Sequence, residues 1–296
     1  MESLITAYLA AYQGRLKPST LVDYRSILRH HLANFANLDH LNEGLEAYLS
    51  GLSGLSGKRL NNILSVARSL MAFARRRRLW SGDPLFIPRW RWRSQKIAPL
   101  SPEEVQLLMA YAPHPYRDFF HLSLLTGMRT GEALGLKFED FDFQKGVIEI
   151  RRALTVGEIV STKTVSGDRD FPLLRPLREI FNRRARGNEH GSAWFFYSHR
   201  PGEVFSRWKL GKVWKALLSA FKIRPRPLYS TRHTFASLAV ASGEDPLWIA
   251  QVMGHSRPDQ LFLRYSSYLK GVKPDGEKLC KMVMGDGPAT FLKVVR

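Results

Sequence analysis

The sequence predicts a mainly α fold with a small antiparallel β-sheet, in two domains, the second of them α+β. Three observations lead there. Apolar residues recur at helical spacing through most of the chain, a block between residues 147 and 173 reads as short strands, and a proline-rich stretch near residue 90 interrupts the pattern. A length of 296 residues fits about two domains and is ample to bury a core.

The first domain, drawn at 1–85, is read as helical throughout. Pro18, Ser19 and Thr20 are start signals, after which Leu21, Tyr24, Leu28, Leu32 and Phe35 recur along one face. A second helix follows the Gly/Ser-rich turn 51–57. It carries Leu60, Ile63, Leu64, Ala67, Leu70, Met71 and Ala74 on one face and ends in the run Arg75 to Arg78. That run is either a solvated helix end, where positive charge is favourable, or a phosphate contact. Residues 81–98 change character, with Pro84, Pro88 and interleaved Trp90, Arg91, Trp92 and Arg93, and a linker is drawn at 86–98. The tryptophans and arginines there either pack on the second domain or touch a ligand.

The second domain is drawn at 99–272. It opens at Ser101-Pro102-Glu103-Glu104, where serine caps, proline fits the first turn and Glu104 completes a capping box. Helical pattern runs from Phe119 to Leu125 and from Thr130 to Leu136. Strands are expected at 147–150, 158–161 and 169–173, the last two separated by the turn Ser166-Gly167-Asp168. Helices return at about 176–186, 205–220, 230–242, 246–253 and 258–269. Residues 273–296 form a basic tail with an apolar tip, either docking on a neighbouring protomer or fraying.

Charge narrows the classes of function. Lys and Arg number 45 against 26 Asp and Glu, a formal charge of +19. Such an excess repels itself in a compact fold unless a polyanion relieves it. Nucleic acid is favoured over an anionic membrane surface, because no basic amphipathic stretch stands out as an anchor. No run approaches the ~20 apolar residues of a membrane span, and the N-terminus lacks the apolar core of a secretory signal. No membrane partner is therefore expected, and the predicted location is the cytoplasm. The single cysteine, Cys280, forms no internal disulfide, which fits a reducing compartment. The absence of C-x-x-C, H-E-x-x-H, G-x-x-x-x-G-K-[ST] and a convincing G-x-G-x-x-G argues against metal, ATP and dinucleotide chemistry, so no cofactor or metal is expected.

Four separated segments hold the residues suited to chemistry. The first, Thr126-Gly127-Met128-Arg129-Thr130-Gly131-Glu132, sets an arginine between glycines in a break between helices. The second places Lys163 near a strand edge. The third, Tyr229-Ser230-Thr231-Arg232-His233, gathers polar groups at the start of an apolar helix, where a half-buried arginine needs an acceptor. The fourth contains Gly254-His255 and, ten positions beyond the histidine, Tyr265. Each alone also has an ordinary structural explanation: a helix junction, a solvated lysine, a helix start, a core aromatic.

Together and in this order, TGMRTGE, TKTVSGDRDFPL, STRHTFAS and MGHSRPDQLFLRY resemble the catalytic domain of the tyrosine recombinases, the phage-integrase family. The resemblance covers about residues 100–270, and the helical first domain is similar to that family's core-type DNA-binding domain. It implies a two-domain clamp around DNA. It implies roles as well: Arg129 and Arg232 as the catalytic arginines, Lys163 as the catalytic lysine, His255 as the late histidine and Tyr265 as the nucleophile. Glu132 matches a common acidic position expected to brace the first arginine. Tyr268 lies three residues from Tyr265, on nearly the same helix face, but Tyr265 is the position that aligns.

One position departs from the family's commonest pattern: Tyr229 stands where histidine is usual. A phenol titrates near ~10 and is a poor base at neutral pH, so Tyr229 is expected to be an auxiliary phosphate contact, with His255 carrying more of the proton transfer. The resemblance further implies double-stranded DNA attachment sites and a homotetramer in the synapse. An excisionase or DNA-bending protein is a possible accessory partner, and the site of action would be the nucleoid of a bacterial host. Tyr229 and the ten-residue step from His255 to Tyr265 favour a mobile-element integrase. A Xer-type resolvase, a type IB topoisomerase-like enzyme and a catalytically silent DNA-binding regulator stay open as alternatives. The given sequence opens almost directly on the helices that the resemblance reads as core-binding, so no arm-binding domain is expected before them.

Overall fold

The computed structural model describes residues 1–93, 98–161, 167–198 and 202–255. The chain divides into two compact units, Met1–Lys96 with Thr155–Glu158, and Ile97–Leu154 with the residues from Ile159 on.

The first unit is built from α1 (Glu2–Tyr12), α2 (Pro18–Ile27) running into a π-helical turn Leu28–Leu32, α3 (Leu38–Gly51) and α4 (Gly57–Arg76). The Ser56 side chain caps α4 by accepting from the Arg59 backbone N–H. All seven apolar positions read from the spacing of α4 are buried. They meet Leu41, Leu45 and Leu49 of α3 and Tyr8 of α1 in one core. Burial pushes the Tyr8 phenol up to about 12, and it donates to Ser69 Oγ at 2.7 Å. The helical reading of this domain holds, but it gave no separate bounds for α1 and α3, although Asn37 and the spacing of Leu38, Leu41, Leu45 and Leu49 are helix signals. The stretch expected as a linker is fastened to this unit as far as it is described. Leu85 and Ile87 are buried in its core, and the Asn61 side-chain amide exchanges two hydrogen bonds with the backbone of Trp90, at 2.8 and 2.9 Å.

The second unit begins with α5 (Pro102–Tyr111), entered through the expected capping box of Ser101 and Glu104. α6 (Arg117–Thr126) and α7 (Thr130–Leu134) follow, then β1 (Phe141–Asp142), β2 (Val147–Ile150), β3 (Arg152–Thr155), β4 (Glu158–Ser161) and β5 (Arg169–Pro172). α8 (Arg175–Arg186), α9 (Arg207–Ala220), α10 (Ser230–Ala241) and α11 (Pro246–Met253) complete the described part. The small sheet is antiparallel in the order β1-β2-β5, with Ile148 opposite Phe171 and Ile150 opposite Arg169. β4 does not join it, as the sequence had implied, but pairs with β3 in a separate ribbon. The reason lies in the faces. β2 and β5 alternate and bury Ile148, Ile150 and Phe171 completely, whereas β4 is exposed at nearly every position and has no apolar face to add. The helix expected at 258–269 lies outside the described residues.

α6 runs through the middle of this unit. Phe119, Phe120 and Leu122 are buried on it, α10 packs along it, and α11 packs on α10 and β5. Two helix ends, those of α6 and α11, thereby come together with the start of α10.

Candidate active site

Both α6 and α11 end on a glycine in the left-handed conformation, Gly127 at φ +62° and Gly254 at φ +65°. L-residues with a Cβ rarely adopt that backbone. At Gly127 a Cβ would also stand 2.4 Å from Cδ1 of Phe235, so the approach of α10 to α6 requires glycine there. A helix leaves its last carbonyls without internal partners and with partial negative charge. Here those carbonyls face arginines.

Arg232, in the first turn of α10, donates from Nη1 to the Gly127 carbonyl at 2.8 Å and from Nη2 to the Met253 carbonyl at 2.7 Å. Arg129 sits just before α7 and donates from Nη2 to the next carbonyl, that of Gly254, at 3.2 Å. Its Nη1 donates to Glu132 Oε1 at 2.7 Å, and its backbone N–H donates to Glu132 Oε2 at 2.9 Å. Two arginines 103 residues apart in the chain (232 − 129) are thus held on consecutive carbonyls of one helix end.

A third arginine completes the arrangement. Arg169, at the start of β5, donates from Nη2 to Glu132 Oε2 at 2.7 Å and from Nε to the Val252 carbonyl at 2.6 Å. Its Nη1 donates to the Gly167 carbonyl at 3.2 Å. Its side chain is 4 % exposed and that of Glu132 3 %, against 43 % for Arg129. The sequence reading passed Arg169 over as an ordinary strand residue. A signal was available: with period two, Arg169 shares the inward face with Phe171, and an inward arginine needs a buried acceptor.

The electrostatics leave positive charge in hand. Burial tends to push the Glu132 carboxyl up, but Arg169 and Arg129 outweigh it and hold Glu132 below the usual carboxylate range, ionised at neutral pH. Burial, reinforced by the nearby charge of Arg129, lowers Arg232 to about 10, still protonated at neutral pH. Its two described acceptors are neutral carbonyls, so hydrogen bonding orients the guanidinium without cancelling its charge. Arg129 and Arg169 share the Glu132 carboxylate while Arg232 is held on carbonyls alone, which leaves a local surplus of two positive charges (3 − 1) among these four residues. Such a site is complementary to a dianionic group or to a monoanion that gains charge during reaction.

The other expected residues divide into two groups. His255 follows Gly254 directly, its backbone N–H donating to the Ala250 carbonyl at 2.9 Å, so it belongs to the same helix end. Tyr229 immediately precedes α10, is 39 % exposed and meets the His233 ring edge-on at 5.2 Å. Lys163, Tyr265 and Tyr268 lie outside the described residues. Among the described residues no group of three or more His, Cys, Asp or Glu side chains has the arrangement of a metal site, and no helix is long and apolar enough to cross a membrane.

Residues 99–269, which include every residue of this cluster, match the phage integrase family. The chain belongs to that family. It is 26 % identical to the prophage integrase IntR of Escherichia coli K12, over 90 % of this chain and 72 % of that protein. Its fold resembles that of the Tn1549 transposon integrase bound to circular intermediate DNA, with a TM-score of 0.72 and 20 % identity over 88 % of this chain and 94 % of that one. It also resembles a lambda integrase tetramer bound to a Holliday junction, with a TM-score of 0.68 and 16 % identity over 87 % of this chain and 77 % of that one. This integrase is a tyrosine site-specific recombinase of the mobile-element type.

Proposed function

We propose that the integrase cuts and rejoins double-stranded attachment sites, with Tyr265 as nucleophile and Arg129 and Arg232 gripping the scissile phosphate. The observation that carries this reading is the seating of both arginines on consecutive carbonyls at the end of α11. Phosphodiester cleavage requires transition-state stabilisation of well over ~15 kcal/mol. Fixed guanidiniums in a sheltered site supply it where charge accumulates on the non-bridging oxygens, the task metal ions perform in other enzymes.

In the proposed step the Tyr265 oxygen attacks phosphorus, a phenolic O–P bond forms and the bond from phosphorus to the 5′ oxygen breaks. Lys163 donates the proton that the leaving 5′-hydroxyl takes up, and His255 assists proton transfer. The phenolic proton passes to solvent or to a nearby base. The phosphodiester energy is kept in the 3′-phosphotyrosine, so reversal by a 5′-hydroxyl of another strand needs no ATP. Tyr229 is placed as an auxiliary phosphate contact. On DNA the reading further proposes a clamp formed by the domains 1–85 and 99–272 and four protomers in the synapse, acting at the nucleoid in the bacterial cytoplasm, with the tail 273–296 available to a neighbour and an excisionase or DNA-bending protein as accessory partner.

The test is a nicked suicide substrate built on the attachment site, to be sought as a short direct repeat by sequencing the DNA that flanks the gene. Wild type and Tyr268→Phe are expected to trap a covalent adduct, and Tyr265→Phe none. An adduct formed by Tyr265→Phe overturns the assignment, and binding without any adduct in wild type returns the silent-regulator alternative.

A further inference from the structure

We infer that Arg169 is a positioning residue for the strand-transfer chemistry, one that locks the two phosphate-gripping arginines to the end of α11. The inference rests on the roles proposed above for Arg129 and Arg232.

Three successive carbonyls close α11, and each accepts from a different arginine: Val252 from Arg169 at 2.6 Å, Met253 from Arg232 at 2.7 Å and Gly254 from Arg129 at 3.2 Å. All three are among the orphan acceptors of a helix C-terminus, whose partial negative charge suits a cation. The three arginines come from different elements: β5, the start of α10 and the turn before α7. Each also has a second anchor, and these differ in kind. Arg232 reaches the end of α6 at Gly127. Arg129 and Arg169 reach the two oxygens of the same buried carboxylate, Glu132.

Arg169 is thereby the tie between the carboxylate that sets Arg129 and the helix end that sets Arg232. It is unsuited to touch phosphate itself. Its Nε, Nη1 and Nη2 all donate within the protein, and only 4 % of the side chain is exposed. Its part in the reaction is therefore indirect. Without it, Glu132 keeps a buried negative charge with one guanidinium in place of two, and Arg129 is drawn deeper toward that carboxylate and away from solvent. The Val252 carbonyl loses its donor in the same change, freeing the end of α11 to shift. A displacement of about 1 Å in a group that stabilises the transition state is worth on the order of 10²-fold in rate. Lysine, with a single ammonium, cannot span Val252 and Glu132 with the fixed fork that arginine provides.

The experiment compares the full-length wild type, Arg169→Met and Arg169→Lys on the suicide substrate, reading three quantities: the melting transition, the Kd for DNA, and the adduct rate at saturating DNA. Arg169→Met is expected to lose at least about 30-fold in adduct rate with Kd changed less than about 3-fold, and Arg169→Lys to recover part of that rate. An unchanged rate, or a rate that falls only in proportion to Kd or to the folded fraction, overturns the inference. If Arg169→Met shows no melting transition, Arg169→Lys decides alone, with a loss of about 10-fold at unchanged Kd expected and wild-type rate overturning. A wild type that forms no adduct at all refutes the underlying enzymatic reading instead, so the two failures are told apart.

Discussion

Arg232 and Arg184 are both buried guanidiniums of the second unit, one beside each end of α6, and they are satisfied by different means. At the C-terminal end, Arg232 rests on two carbonyls and stands beside Arg129 and Arg169. At the N-terminal end, Arg184 lies among aromatic rings. Tyr197 is 4.5 Å away, Phe196 and Phe205 5.4 Å, and Phe195 5.9 Å, with one hydrogen bond from Nε to the Phe195 carbonyl. Arg184 borders a cleft of about 920 Å³, and among the described residues its Nη2 is sealed from solvent and has no acceptor. Ring faces offer a cation diffuse attraction and no fixed direction. Carbonyls at helix ends fix the plane of the fork and leave its net charge to act on something else. The two buried arginines are told apart by the kind of acceptor each one has.

Breaking the comparison at its stronger side has the largest effect. Arg232→Lys is expected to lower the adduct rate on a suicide substrate by about 10²–10³-fold, because a point charge replaces a fork held on two carbonyls. Gly127→Ala attacks the scaffold beneath that fork. A methyl group placed 2.4 Å from the Phe235 ring on a backbone at φ +62° should destabilise the fold by about 2–3 kcal/mol, read as a lower denaturation midpoint. The smallest effect is at the other end of α6. Arg184→Met removes a buried cation with an unmet donor along with its ring contacts, and the change in stability should stay within about 2 kcal/mol. The adduct rate per folded molecule should match wild type within about 2-fold. A large catalytic loss in Arg184→Met would mean that the aromatic nest, too, serves the reaction, and the contrast drawn here would fail.

Much of this was legible from local pattern. The buried face of α4 and the capping box of α5 depend on neighbours within two helical turns, and the spacing of Leu60 to Ala74 and the pair Ser101 and Glu104 state them directly. Arg129, Arg232 and His255 were singled out through the order of their motifs, and the structure brings them to one helix end. α3 was given no bounds of its own although its leucines recur correctly, and β4 was assigned to a sheet it does not join, because strand propensity says nothing about which edge a strand will find. Arg169 was missed for a related reason. Its partners Glu132 and Val252 lie 37 and 83 residues away.

What the sequence determined by itself was the composition of the site: two arginines and a histidine beside glycines that end helices, on a chain with a +19 charge. Only the tertiary structure decided which acceptors those arginines use. Three consecutive carbonyls at the end of α11 are backbone atoms, identical in every residue, so no side-chain pattern marks them. They become a binding surface only when β5, α10 and the turn before α7 converge on one helix end and the last turn of that helix has no hydrogens of its own to offer them.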